Sequence, residues 1–136
     1  MVVIKIYSQD MYVASEVSIN HAAAVAKLLK VEVTDIFFVG SEGTLVAEGV
    51  DQVSWFTYLE VSLPKAKENK QQELSEFLHK IFSNYGVHIM IKYDYYEENH
   101  LVKILNPEFK VFNETMVEVL THENYYGDEE EDEDWE

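Results

Sequence analysis

The sequence predicts an α+β fold: two tandem β-α-β units form one four-stranded sheet with two helices on one face, and a C-terminal extension follows. Three observations carry this. The order strand, helix, strand occurs twice at similar spacing, and Ala26-Lys27-Leu28-Leu29 ahead of the second strand is echoed by His79-Lys80-Ile81-Phe82 ahead of the fourth. Apolar residues make up 47% of the 136, enough for one core and not for a second of similar size. The charge is uneven: nine of the 26 acids fall in Glu123 to Glu136, where there is no Lys, so a net charge of −16 becomes −7 for the remainder. The chain is therefore expected to divide into a domain over 1–96, an extension over 97–122 that packs on that domain or on a neighbouring subunit, and an acidic tail over 123–136 that repels itself and is solvated or disordered.

Val2 to Tyr7 is β-branched and aromatic and reads as a strand, with Val3 and Lys5 on one face and Ile4 and Ile6 on the other. Ser8 is the candidate N-cap of a helix over Gln9 to Lys30, with a start at Ser15 or Ser18 as the competing boundary. Val13, Val17, His21, Ala24 and Leu28 share one helical face, and Lys27 and Lys30 suit the C-terminal end of the helix dipole. Asp35 to Glu48 reads as extended chain, in which Gly40 and Gly43 allow a hairpin or a bulge and which Gly49 ends. Ser54 to Leu63 is the third long strand, with Trp55, Thr57, Leu59, Val61 and Leu63 on one face, and Pro64 stops it.

A second helix is expected from about Lys67 to Tyr85 on the stripe Leu74, Phe77, Leu78, Ile81, Phe82 and Tyr85, with Gly86 as its C′ residue. Val87 to Tyr93 reads as a buried strand. Short strands are expected over His100 to Leu105 and Glu108 to Phe112, and Thr115 to Leu120 is compatible with strand or helix. Right-handed crossovers in both halves put both helices on one sheet face. The other face carries apolar residues as well and needs a cover, for which a partner subunit is the simplest candidate.

Composition removes several function classes. There is no Cys, which excludes disulfides, zinc–thiolate sites and Cys nucleophiles. All ten basic residues are Lys, so no guanidinium clamp on carboxylate or phosphate is available. A chain this acidic repels phosphate backbones and anionic membranes, so neither nucleic acid nor membrane is an expected partner. No secretory signal and no apolar run near 20 residues is visible, and a cytoplasmic location is the expectation.

Several stretches resemble the tautomerase superfamily, which includes 4-oxalocrotonate tautomerase and macrophage migration inhibitory factor, and within it a bacterial family of uncharacterised tautomerase-like proteins. They are the long helix directly after the first strand, Asp35-Ile36-Phe37-Phe38 through Thr44-Leu45-Val46-Ala47-Glu48-Gly49, Tyr58-Leu59-Glu60-Val61, and Tyr95-Tyr96-Glu97-Glu98-Asn99. The similarity covers roughly residues 1–100. It implies a homotrimer whose sheets form a central barrel, with a dimer as the second choice, and pockets near the N-termini at subunit contacts. The departures are equally specific. Superfamily enzymes use an N-terminal proline amine, whereas here Met1 is followed by Val2 and the only prolines are Pro64 and Pro107. The arginines that steer carboxylate substrates are absent.

Candidate chemistry is correspondingly sparse. His88 is a pocket candidate on its strand, and Glu60 is a carboxylate within an apolar strand, where burial raises a pKa toward acid–base use. The alternative for Glu60 is an edge or interface position with a Lys or backbone partner. The amine of Val2, exposed by Met1 removal, is the third catalytic candidate, since an α-amine titrates at about 7.7–8.0. Tyr93 and Tyr95 are ligand-lining candidates, or packing residues at a subunit contact. Lys65, Lys67 and Lys70 form the one basic cluster and could hold a small anion, the acidic tail, or nothing. The five His lack metal-site spacing, Gly40-Ser41-Glu42-Gly43 is no phosphate loop, and no metal or cofactor is expected. Two functions follow: a non-catalytic oligomeric binding or scaffold protein, or a keto/enol tautomerase using Val2 or a pocket side chain.

Overall fold

The computed structural model describes residues 1–109. The expected elements beyond Phe109, including Thr115 to Leu120 and the acidic tail, lie outside the described residues. The chain separates into two compact units, Met1–Val102 and Lys103–Glu136. All strands and helices below belong to the first. In the second, the described residues 103–109 turn at Asn106, whose Oδ1 accepts from the Glu108 amide at 3.0 Å.

β1 (Val2–Tyr7) leads into α1 (Tyr12–Leu29), which returns the chain to β2 (Ile36–Gly40). A two-residue pair, β3 (Val46–Ala47) and β4 (Val50–Asp51), precedes β5 (Phe56–Pro64). A 3₁₀ turn over Lys65–Lys70 then opens α2 (Gln71–Phe82), and β6 (His88–Tyr96) closes the second β-α-β half. The sheet order is β2-β1-β5-β6, with β1 parallel to β2, β5 parallel to β6, and β1 antiparallel to β5. These are two β-α-β halves joined back to back, as the doubled element order predicts.

Period-two alternation on the strands builds the core. Val2, Ile4 and Ile6 of β1 and Leu59, Val61 and Leu63 of β5 are buried with Val13, Val17, Val25 and Leu29 of α1 and Leu74, Leu78, Ile81 and Phe82 of α2. Both helices thus lie on one face, and sealing that layer is the main source of stability. On α1 the buried stripe runs through Val25 and Leu29; Ala24 is exposed, and His21 is half-buried against the edge of Phe77.

Several local expectations are corrected. Ser8 is no N-cap: it is buried in the left-handed region (φ 66°), and its backbone ties Gly43 and Ser54 together. α1 starts three residues after the expected Gln9, and Asp10 Oδ1 accepts from the Tyr12 amide at 3.0 Å. Gln9 instead sends its side-chain amide across to Thr57 Oγ1 (2.7 Å) and the Tyr85 carbonyl (3.1 Å). Gly40 and Gly43 make no hairpin; the turn falls at Glu48-Gly49, both at positive φ, as a two-residue hairpin turn requires. Gly86 is not a left-handed C′ residue. It is small because a Cβ there would sit 2.5 Å from Thr57 Oγ1.

β6 is not buried on both sides, because it is an edge strand whose outward residues alternate into solvent. Pro64 closes β5 but still stands in register with Tyr96. His100 to Leu105 forms no strand: Glu98–His100 makes a 3₁₀ turn, and the exposed Val102, Ile104 and Leu105 follow it.

Candidate functional site

The sheet face turned away from the helices carries polar chemistry, and the strand register arranges it in rows. Lys5 stands opposite Glu60, and Glu60 opposite Lys92, so charges alternate in sign across three neighbouring strands. In the next row Val3 meets Ser62, which meets Asp94. On the other side of the charged row Tyr7 stacks on Tyr58 with ring centroids 5.4 Å apart. Val3, Lys5, Glu60, Ser62 and Asp94 line a shallow recess of about 270 Å³. The expectation of an apolar second face is therefore corrected at its centre, where charge predominates.

Glu60 occupies the middle of this recess, on a central strand and not at an edge. Its Oε1 accepts from the Tyr58 hydroxyl at 3.0 Å. Burial, then that hydrogen bond and the carboxylate's charge, raise the Tyr58 pKa above 10.0. Lys92 Nζ lies 3.8 Å from Asp94 Oδ1 with both side chains largely exposed. The arrangement can hold opposite charges against a docked surface or polarise a small polar molecule.

The other candidates are scattered. Val2 is fully buried on the helix side of β1, and just before it the Tyr96 hydroxyl donates to the Met1 carbonyl. His88 sits at the far end of the sheet, exposed, with Phe56 (5.0 Å) and Trp55 (5.7 Å) beside its ring. It is six residues from Asp94 along β6, about 20 Å at strand spacing. Tyr93 and Tyr95 point toward the helices, away from the recess. Their rings stack at 6.0 Å, Tyr93 Oη is 2.6 Å from Ser75 Oγ, and the Tyr95 hydroxyl donates to Gln71 Oε1. Burial raises the Tyr93 pKa above 10.0, with the Ser75 contact opposing.

Lys65, Lys67 and Lys70 share the 3₁₀ turn before α2. Lys65 pairs with Glu97 at 3.6 Å and Lys70 with Glu73 at 3.7 Å, which offsets the cluster's charge locally; Lys67 is half-exposed. Asp94 stands beside the tyrosine candidates in the sequence, but Lys5, Tyr58, Ser62 and Lys92 are not marked there as site residues. The alternation in β1 and β5 carried a signal for them, but only the register sets Lys5 against Glu60 and Glu60 against Lys92. Among the described residues, no group of three or more His, Asp or Glu is placed to hold a metal ion, and no helix is long and apolar enough to cross a membrane.

Back-to-back β-α-β halves on one mixed sheet define the fold of the tautomerase and macrophage migration inhibitory factor superfamily, and this chain has that fold. It is similar to a protein of the domain of unknown function DUF1904 from Sebaldella termitidis, at 12% identity and a TM-score of 0.67 over 76% of this chain and 95% of that one. A protein of unknown function from Vibrio cholerae matches at 11% identity and a TM-score of 0.63, over 75% and 83% of the two chains. A macrophage migration inhibitory factor-like protein from Entamoeba histolytica matches at 10% identity and 0.58, over 76% and 93%. No protein-family model matches the sequence, and no protein of curated function matches it.

Proposed function

We propose that this chain is a non-catalytic binding or scaffold protein of the cytoplasm built on the tautomerase fold, assembling as a homotrimer, with a dimer as the second choice. One observation carries the reading. At the head of β1, where superfamily enzymes hold a secondary amine, stands Met1-Val2, with the Val2 side chain in the core and the Met1 carbonyl bound by Tyr96. A primary amine uncovered at Val2 would be a poorer base or nucleophile than proline, and its exposure would remove the carbonyl that Tyr96 holds. The lack of any Arg further argues against carboxylate substrates.

The competing reading is a keto/enol tautomerase using the Val2 amine or a pocket side chain. Glu60 favours it, as a half-buried carboxylate with Tyr58 as a hydrogen-bond donor and Lys5 across the ladder. Intact-mass measurement followed by a phenylpyruvate-type tautomerisation assay separates the two. Absent or very weak turnover is expected. Robust turnover, abolished by adding one residue before Val2, would overturn the scaffold reading. Light scattering is expected to give a multiple of the chain mass at micromolar concentration; a monomer would remove the oligomer.

A further inference from the structure

The recess on the open sheet face holds charges of both signs that the chain itself leaves unneutralised. Lys5 stands across the ladder from Glu60, yet among the described residues neither forms an ion pair. Glu60 has one oxygen on the Tyr58 hydroxyl, and Asp94 has a loose, exposed contact with Lys92 at 3.8 Å. Glu60 and Asp94 lie on neighbouring strands, two residues apart in register. That is about 8 Å between backbones at ordinary sheet spacing, so one ammonium standing between them reaches both carboxylates. Ser62 adds a hydroxyl and Val3 an apolar wall. The volume, about 270 Å³, lies just under the range of about 300–1,000 Å³ that holds drug-sized ligands, so a fitting molecule has only a handful of heavy atoms.

The signs select against simple ions. A lone cation that reaches Glu60 meets Lys5 beside it. A lone anion that reaches Lys5 meets Glu60, on a chain whose net charge is −16. With no Arg in the chain, a carboxylate alone is held by a single ammonium and by no planar fork. A molecule carrying both charges answers Lys5, Glu60 and Asp94 together. A cover laid over the face makes that need greater, because a charge taken out of water without a partner is costly. We propose that this recess binds a small zwitterion of the α-amino-acid class. Its carboxylate lies on Lys5, its ammonium between Glu60 and Asp94, and a small aliphatic side chain against Val3. The inference rests on the reading of this chain as a binding protein and names the class of its ligand.

The probes are L-alanine and its two halves: ethylamine keeps the ammonium, and propionate keeps the carboxylate. Binding to the full chain is read by ligand-observed NMR titration. Alanine should bind at least about 10-fold more tightly than either half, the difference made by one charge-assisted hydrogen bond. Glu60→Gln should weaken alanine about 10-fold and improve propionate relative to it. Lys5→Gln should weaken alanine by a similar factor and improve ethylamine relative to it. A merely structural loss does not cross the two preferences in this way. Equal binding of alanine and either half, or a ranking that both substitutions leave unchanged, overturns the proposal. A second measurement covers variants that circular dichroism shows to be poorly folded. Ser62→Cys gives the chain its one thiol, in the wall of the recess. Alanine, and neither half, should slow its reaction with a maleimide; no slowing overturns the proposal. Absence of alanine binding together with absence of tautomerase turnover overturns the site and leaves the binding or scaffold reading standing. Robust turnover with alanine bound in the expected ranking overturns that reading and supports the site.

Discussion

Leu59, Val61 and Leu63 alternate along one strand with Tyr58, Glu60 and Ser62, and the two sets meet opposite worlds. The first set is fully buried beneath α1 and α2. The second faces out into the charged rows with Lys5, Lys92 and Asp94. The backbone is shared, so the difference lies wholly in what the pleat presents to each side. One side holds apolar surface removed from water and dominates stability; the other leaves charges where exposed pairs contribute little to folding and more to recognition.

The largest expected effect tests the buried side. Phe82 is fully buried in the core, and Phe82→Ala should cost about 3–5 kcal/mol, measured by urea denaturation. A loss below about 1 kcal/mol would mean that this layer repacks freely and that the contrast between faces is shallow.

Tyr93→Phe is intermediate and sharpens the comparison, because it removes a polar group from the helix side only. The hydroxyl meets Ser75 and the Gln71 carbonyl, so about 0.5–1.5 kcal/mol should be lost at neutral pH. The folded-state pKa lies above the unfolded value near 10.0, so the native chain holds this proton more tightly. Its contribution is complete below pH 10 and is lost as pH rises through the folded pKa. The parent should therefore lose more stability than Tyr93→Phe above pH 10, as read from parallel denaturation curves. Parallel loss in both would place the titration elsewhere.

The smallest effect belongs to the open face. Lys92→Ala should change unfolding stability by no more than about 0.5 kcal/mol, read from denaturation curves at low protein concentration, because its pairing with Asp94 is largely exposed. A loss several times larger would show that the charged row supports the single chain.

Sequence alone was enough for the two successive strand–helix–strand halves, the faces of β1 and β5, and the stripe of α2, because a period of two or about 3.6 in apolar residues is a local property. The likeness to tautomerases was legible for the same reason: it rests on that order and on the Tyr58-Leu59-Glu60-Val61 and Tyr95-Tyr96 stretches. Tertiary structure decided what depends on residues distant in sequence. Ser8 looks like a cap until its backbone is seen bridging Gly43 and Ser54, and Gly86 looks like a helix terminator until Thr57 is found against it. Tyr93 and Tyr95 turn to the helices because β6 is in register with β5, and Glu60 lies between two lysines because β1, β5 and β6 align as they do. A one-residue slip in that register would exchange the two faces, so the long-range burial of Leu59, Val61 and Leu63 is what leaves Glu60 among the charges.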